Sequence, residues 1–431
     1  MNKPATTIVI HPVFKGPGAQ TRDPAHQLEE ACGLAAAIDL HIANAMIVNV
    51  SRPSPATLIP SGGVEKAGEA IEESAPAVVI VNATLSPVQQ RNLEKVWKTK
   101  VVDRTGLILE IFSARARTRE GKLQVELAAL TYQRSRLVRS WTHLERQRAT
   151  GKTGGPGETQ IELDRRLIAD KIAQIKRELE HVRNTRDLQR KARDKVPFPL
   201  VAIVGYTNAG KSTLFNRLTQ ADVLVKDMLF ATLDTTTRAI TLPGGRKIVL
   251  SDTVGFITDL PTQLVAAFRA TLEQVTQARL ILHVQDVSDP EHASRRRDVL
   301  EILEQLGVPH DAGHILDVYN KIDRLPPAEA KEWRQGGRGV AVSAATGQGL
   351  DDLLARVKAF LDRDRDEYAI KLPASDGKWL AWLHRHGEVT GERLRGETRY
   401  LKVLLGEADY ARFNQARRAA DETTKIADRG A

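Results

Sequence analysis

Val201-Ala202-Ile203-Val204-Gly205-Tyr206-Thr207-Asn208-Ala209-Gly210-Lys211-Ser212-Thr213-Leu214-Phe215-Asn216-Arg217-Leu218 reads as a buried strand, a glycine-bearing turn and the opening of a helix. The spacing G-x4-G-K-S is specific only in that context, after a strand and before a helix, and both are present. Its glycines let backbone N–H groups turn inward around a polyphosphate, and the helix N-terminus adds a favourable dipole. Lys211 would reach the β- and γ-phosphates and the Ser212 hydroxyl would ligate Mg²⁺. Gly205 through Thr213 are the first candidate nucleotide-binding positions.

Downstream, apolar runs at 200–204, 247–251, 280–284, 315–319 and 339–342 alternate with helical patterns. This predicts a mostly parallel sheet covered on both faces. Further pieces fall in the order such a site needs. Phe230-Ala231-Thr232-Leu233-Asp234 lies in a loop after the first helix. There Thr232 would offer its hydroxyl to Mg²⁺ and its N–H to the γ-phosphate, although Thr235, Thr236 and Thr237 compete for the role. Asp252-Thr253-Val254-Gly255 follows a strand, with Asp252 holding the metal through water and the Gly255 N–H sensing the γ-phosphate. Asn320-Lys321-Ile322-Asp323 ends another strand. One carboxylate can accept from both guanine N1 and its 2-amino group, whereas adenine offers an acceptor at N1, so Asp323 favours guanine. The Lys321 stem would pack over the base and Asn320 would tie this loop to the phosphate loop. Ser343-Ala344-Ala345 would present N–H groups to the guanine 6-oxo group. The reading is a Mg²⁺-dependent GTPase acting through Lys211, Thr232 and Gly255. Many GTPases place a water-orienting glutamine directly after the Gly255 position. Phe256 stands there and cannot hydrogen-bond water, which predicts slow unaided hydrolysis.

Upstream of this unit the charge is uneven. Net charge is +9, and residues 113–196 hold 21 Lys/Arg against 11 Asp/Glu. A basic excess in one segment points to a polyanionic surface. Within it, Leu123, Leu127, Leu130, Leu137, Trp141 and Leu144 repeat at near-helical spacing. So do Ile161, Ile168, Ile172, Ile175, Leu179 and Val182, which predicts an antiparallel helical hairpin. Between the helices lies Thr150-Gly151-Lys152-Thr153-Gly154-Gly155-Pro156-Gly157-Glu158-Thr159. Gly151-Lys152-Thr153 imitates the end of a phosphate loop, but Arg146 stands where the earlier glycine is needed and no strand precedes it. A linker and a partner-contacting tip both remain open. The first 112 residues predict a small α/β unit. Its strands are expected at 7–10, 45–50, 77–81 and 107–111, and its helices at 27–39, 64–73 and 87–99. After Pro197 and Pro199 end the basic helix, 197–364 form the nucleotide unit and 365–431 a small α+β appendage. The fold class is α/β and multidomain.

Cys32 is the only cysteine, which excludes an intramolecular disulfide and a multi-cysteine metal site and suits a small buried hydrophobe. No stretch approaches the ~18–20 apolar residues of a membrane span. The N-terminus MNKPATTIVIHPVF lacks a signal-peptide pattern. A cytoplasmic monomer is expected, with peripheral attachment to a membrane left open.

The chain resembles the HflX GTPases, within the group that includes Obg-type proteins. The resemblance rests on Asp103-Arg104-Thr105-Gly106-Leu107-Ile108-Leu109 and Glu120-Gly121-Lys122-Leu123-Gln124-Val125-Glu126-Leu127. It rests further on Gly154-Gly155-Pro156-Gly157-Glu158-Thr159-Gln160 and on the nucleotide motifs above. One departure is Asp234-Thr235, where the family usually has proline after the aspartate. The resemblance implies GTP and GDP as ligands and the large ribosomal subunit as partner. In some members it also implies the splitting of stalled or stress-damaged ribosomes, or the use of ATP. It implies that Gly151, Lys152, Gly154, Gly155 and Gly157 form a tip that contacts ribosomal RNA. A large-subunit assembly factor and a nucleotide-gated scaffold for protein or membrane partners are the rival readings.

Overall fold

The computed structural model describes residues 5–15, 22–148, 156–193, 198–220, 230, 236–258, 274–337, 339–407 and 409–417, with backbone alone over 137–148, 156–161 and 183–193. The chain opens with β1 (Thr6–Phe14), α1 (Pro24–Ala36), β2 (His41–Val50), α2 (Ser61–Ser74), β3 (Val78–Val81), α3 (Pro87–Trp97) and β4 (Lys100–Asp103). These strands form one parallel sheet in the order β2-β1-β3-β4. Strand alternation splits its apolar residues between two cores. Ile8, Ile10, Val79 and Val81 pack toward α2 and α3, while Val9 and Ile80 face Leu34 of α1. Cys32 is half-buried on α1 and packs against that second core.

Residues 107–111 are helical, which corrects the expected strand. They belong to α4 (Arg104–Arg115), whose N-cap is Asp103, its side chain accepting from the Gly106 N–H. Leu107, Ile108, Leu109, Ile111 and Phe112 are all buried, and Glu110 is the one exposed residue in this run. A run of five residues with a single exposed position is too short for periodicity to distinguish a helix from a buried strand. The strand that fills the sheet is the four-residue β4 just before it.

The basic segment forms α5 (Arg119–Arg148) and α6 (Pro156–Arg193), which pack against each other. On α6 the expected seam is present: Ile172 and Ile175 are buried, and Ile168, Leu179 and Val182 are half-buried. On α5 the fully buried positions are Gly121, Gln124, Val125 and Ala128, with Leu123, Leu127 and Leu130 half-buried. The stripe broadens because α5 also packs on α3 and α4. The side chains of Leu137, Trp141, Leu144 and Ile161 lie outside the described residues, as do Gly151, Lys152, Gly154 and Gly155, while Gly157 falls in the first turn of α6.

The third unit comprises β5 (Leu200–Gly205), α7 (Lys211–Thr219), β6 (Thr236–Thr241), β7 (Lys247–Asp252), β8 (Leu280–Asp286), α8 (His292–Gln305), β9 (Ile315–Asn320), α9 (Pro327–Gln335), β10 (Val340–Ala341) and α10 (Leu350–Leu361). Its six strands run in the order β10-β9-β8-β5-β7-β6, parallel except for the edge strand β6. Strand β6 takes up Thr236 and Thr237, read from sequence as loop, and pairs them with Asp252 and Ser251. Chain order reverses beside β5, so the crevice above its carboxyl end is the expected ligand position. Last come β11 (Arg365–Pro373), α11 (Gly377–His386), β12 (Glu388–Arg395) and β13 (Thr398–Gly406), an antiparallel sheet in the order β11-β13-β12. Among the described residues no helix is long and apolar enough to cross a membrane.

Candidate nucleotide site

The loops leaving β5, β7, β9 and β10 converge at one end of the six-stranded sheet. After β5 the chain turns through Gly205–Gly210 into α7. Gly210 has φ +89°, and a Cβ there would lie 2.2 Å from the Asn320 Nδ2. A side chain is therefore excluded both by backbone conformation and by the neighbouring loop. Asn320 donates from Nδ2 to the Ala209 carbonyl at 2.8 Å and accepts from the Ala344 N–H at 2.9 Å. This one buried amide joins three of the predicted motifs, as expected for Asn320.

Lys211 is buried and donates from Nζ to the Tyr206 carbonyl at 2.7 Å. Burial pushes its pKa down to about 8, against attraction from Asp252 and with Lys321 adding repulsion. The Ser212 hydroxyl donates to the Asp252 carboxylate at 2.8 Å. A hydroxyl and a carboxylate side by side are hard oxygen donors and fit Mg²⁺, which takes one or two protein oxygens and fills the rest with water and phosphate. Among the described residues no cluster of three or more His, Cys, Asp or Glu forms a metal cage, so Ser212 and Asp252 are the pair that could hold the ion.

Gly255 is a close-approach position. A Cβ there would meet the Lys211 Nζ at 3.0 Å and the Thr207 Cγ2 at 2.9 Å. The next residue is stitched to the phosphate loop: the Thr207 N–H donates to the Phe256 carbonyl at 2.7 Å and the Phe256 N–H to the Gly205 carbonyl at 3.1 Å. The Phe256 side chain is 2% exposed and belongs to the apolar core. Thr253 and Val254 are buried as well, with the Thr253 hydroxyl donating to the Ile203 carbonyl at 2.7 Å.

Lys321 has φ +66° and pairs with Asp286 at 2.7 Å. Asp286, at the end of β8, was not singled out in the sequence, because an acidic residue closing a strand carries no motif. Ile322 is buried and Asp323 exposed in the single 3₁₀ turn Ile322–Arg324. Ser343 and Ala344 are buried and Ala345 exposed. Asn208 and Thr213 border the same loop. Ala231, Thr232, Leu233 and Asp234 lie outside the described residues.

A second set of contacts had no signal in the motifs. The Tyr206 hydroxyl donates to Glu30 of α1 and accepts from the Thr258 N–H at 3.0 Å. Burial, then the Glu30 carboxylate, raise the Tyr206 pKa. Arg104 of α4 donates to Glu30 at 2.7 Å, Asn82 at 2.7 Å and the Thr258 carbonyl at 3.0 Å. Arg22 reaches Thr258, Asp298 and Ser294. From the far end of α4, Arg115 donates to the Phe230 carbonyl at 2.7 Å, and Phe112 meets the Phe230 ring edge-on at 4.8 Å. Helix α4 and Arg22 thus grip the first residue of the Thr232 loop and one residue after the Gly255 loop. Between α1 and Asn208, Asp286 and Lys321 lies a cavity of 470 Å³. This cavity beside Asn208 and Lys321 therefore has a wall from outside the six-stranded sheet.

Comparison with known proteins agrees with this architecture. Residues 25–113 match the family described as GTP-binding GTPase N-terminal, 115–193 the GTP-binding GTPase middle region, and 200–321 the 50S ribosome-binding GTPase. The GTPase HflX of Magnetococcus marinus is 53% identical over 397 residues, covering 91% of each chain. The GTPase HflX of Escherichia coli is 46% identical over 330 residues, 76% of this chain and 77% of that one. A crystal structure described as SsGBP with GDP aligns at 24% identity and a TM-score of 0.48, over 82% of this chain and 98% of that one. A GTPase by its motifs and by its relatives, this chain belongs to the HflX family.

Proposed function

We propose that this GTPase depends on Mg²⁺, binds the large ribosomal subunit and splits stalled or stress-damaged ribosomes. Four functional units serve that role: 1–112, the hairpin 113–196, the nucleotide unit 197–364 and the appendage 365–431. The observation that carries the reading is a 50S ribosome-binding GTPase match at 200–321 joined directly to a hairpin holding the basic surplus of the chain.

In the nucleotide unit, loop N–H groups between Asn208 and Thr213 cradle the phosphates, and Lys211 exchanges the Tyr206 carbonyl for phosphate oxygens. Ser212 and, through water, Asp252 would hold Mg²⁺, which would supply charge neutralisation at the phosphates. Thr232 and the Gly255 N–H report the γ-phosphate. Asp323 accepts from guanine, Lys321 covers the base and the Ala345 N–H faces the 6-oxo group, since the Ala344 N–H is held by Asn320. Phe256 positions no water, so the partner completes the site by ordering the Thr232 and Gly255 loops or by adding a polar group.

The test is steady-state phosphate release with and without large subunits. Stimulation of at least about tenfold is expected, falling as salt rises. Deleting residues 151–157 should remove the gain and leave the basal rate in place. Equal stimulation of wild type and deletion would return the glycine-rich segment to a linker. Binding to precursor particles in preference to mature subunits would favour assembly over splitting.

A further inference from the structure

The C-terminal sheet has one covered and one open face. Ile370, Leu372, Leu401, Val403 and Leu405 point inward onto Trp379, Leu383 and Phe413. The alternate residues face outward, and the strand register arranges them in rows. Lys371 lies opposite Tyr400 on one side and Arg393 lies opposite it on the other. In the next row Pro373 and Arg395 flank Thr398. The Lys371 ammonium is 5.4 Å from the Tyr400 ring centroid, and that ring is 39% exposed.

The acids sit at the opposite end of the face. Glu367 pairs with Lys402 at 2.7 Å, and Glu388 pairs with Lys358 of the nucleotide unit at 3.2 Å. Among the described residues Lys371, Arg393 and Arg395 form no ion pair. Glu392 points to the other face and pairs with Arg399, and Glu397 lies in the β12–β13 turn. The two outermost rows therefore carry three cations around an exposed aromatic ring, at an end of the face that no helix covers among the described residues.

We propose that this outer face, centred on Tyr400, binds single-stranded RNA. Aromatic rings on an open sheet stack unpaired bases, while flanking Lys and Arg hold the phosphates. A duplex hides its base faces and offers the ring nothing to stack on. An acidic protein would use the cations and leave the tyrosine idle. The inference rests on the ribosomal reading only in choosing RNA over DNA, and it concerns a surface separate from the hairpin.

The experiment uses the full chain and a fluorescent oligouridine of about ten nucleotides, with a duplex of equal length beside it. Tyr400→Ala should weaken single-strand binding about tenfold, and Tyr400→Phe should retain it. Arg393→Gln with Arg395→Gln should lower the salt slope by about one to two, at ~0.7 per phosphate contact. Ultraviolet crosslinking separates this face from the hairpin, and the crosslinked peptide should contain Tyr400. Crosslinks confined to α5 and α6, equal binding by wild type and Tyr400→Ala, or equal affinity for the duplex would each overturn the proposal. Large-subunit stimulation of hydrolysis is read in parallel. Its survival beside failed crosslinking sinks this inference alone, and its absence beside successful crosslinking sinks the ribosomal reading alone.

Discussion

Around Lys211, burial disfavours the ammonium and holds its pKa down to about 8. A bound polyphosphate favours the charged form and raises that pKa. Binding then selects the protonated lysine, so GTP affinity should be highest below pH 8 and fall as pH rises past it. Calorimetry at pH 8.5 in two buffers of different ionisation enthalpy should show net proton uptake, and none would mean that Lys211 does not meet the phosphates. Lys211→Ala and Ser212→Ala should abolish tight Mg·GTP binding while leaving the circular dichroism spectrum unchanged. Wild-type hydrolysis by either variant would refute the phosphate-loop assignment. Asp323 is exposed and has no packing role, so its substitution isolates base recognition. Asp323→Asn should weaken GTP binding by more than about 2 kcal/mol through loss of a charge-assisted pair. The same change should favour xanthosine triphosphate, whose 2-oxo group suits an amide donor, and a competition titration reads both effects.

Helix α4 shows where a sequence is legible and where it is not. The phosphate loop, Asp252–Gly255 and Asn320–Asp323 were readable because each is a short string with its own backbone demands. Their convergence followed from parallel-sheet topology. Residues 107–111 of α4 read as a strand because four apolar residues and one exposed Glu110 are too short a run to show a helical period. Its contacts with Phe230 and Thr258 span 115 and 154 residues of sequence, and no local pattern announces a pairing that distant. Edge strand β6 was missed for the opposite reason: Thr236–Thr241 is mostly exposed and carries little apolar signal. Phe112, 1% exposed and in edge contact with Phe230, tests the helix as an element. Phe112→Ala should destabilise the protein by about 3–5 kcal/mol. A urea titration measures it, and a loss below about 1 kcal/mol would show that α4 is not a shared core element.

At the scale of the molecule, one apolar core passes from Val9 and Ile108 through Phe112 to Tyr206, Phe256 and Ile281. Two sheets that share a core and the Tyr206–Glu30–Arg104 network should melt together. Nucleotide at about 100 times its Kd adds ~2.7 kcal/mol to whatever unfolds with the site. GTP should therefore shift hydrogen-exchange protection in β1 and β3 as well as in β5 and β8. Protection gained only in the nucleotide unit would show that the two sheets open independently.

Phe256 carries a consequence for descent. A glutamine at its position is the shortest chemical route to a self-sufficient hydrolase, and the packing obstructs that route. Phe256→Gln would strip an aromatic ring from the core and strand an amide among apolar neighbours, at a cost of about 3–5 kcal/mol. Most single-domain stabilities are only ~5–15 kcal/mol, so a lineage passing through that variant would endanger its fold before gaining any rate. On the proposed function, reliance on an outside activator would in this sense be a ratchet: the residue that cannot orient water is also packed into the core.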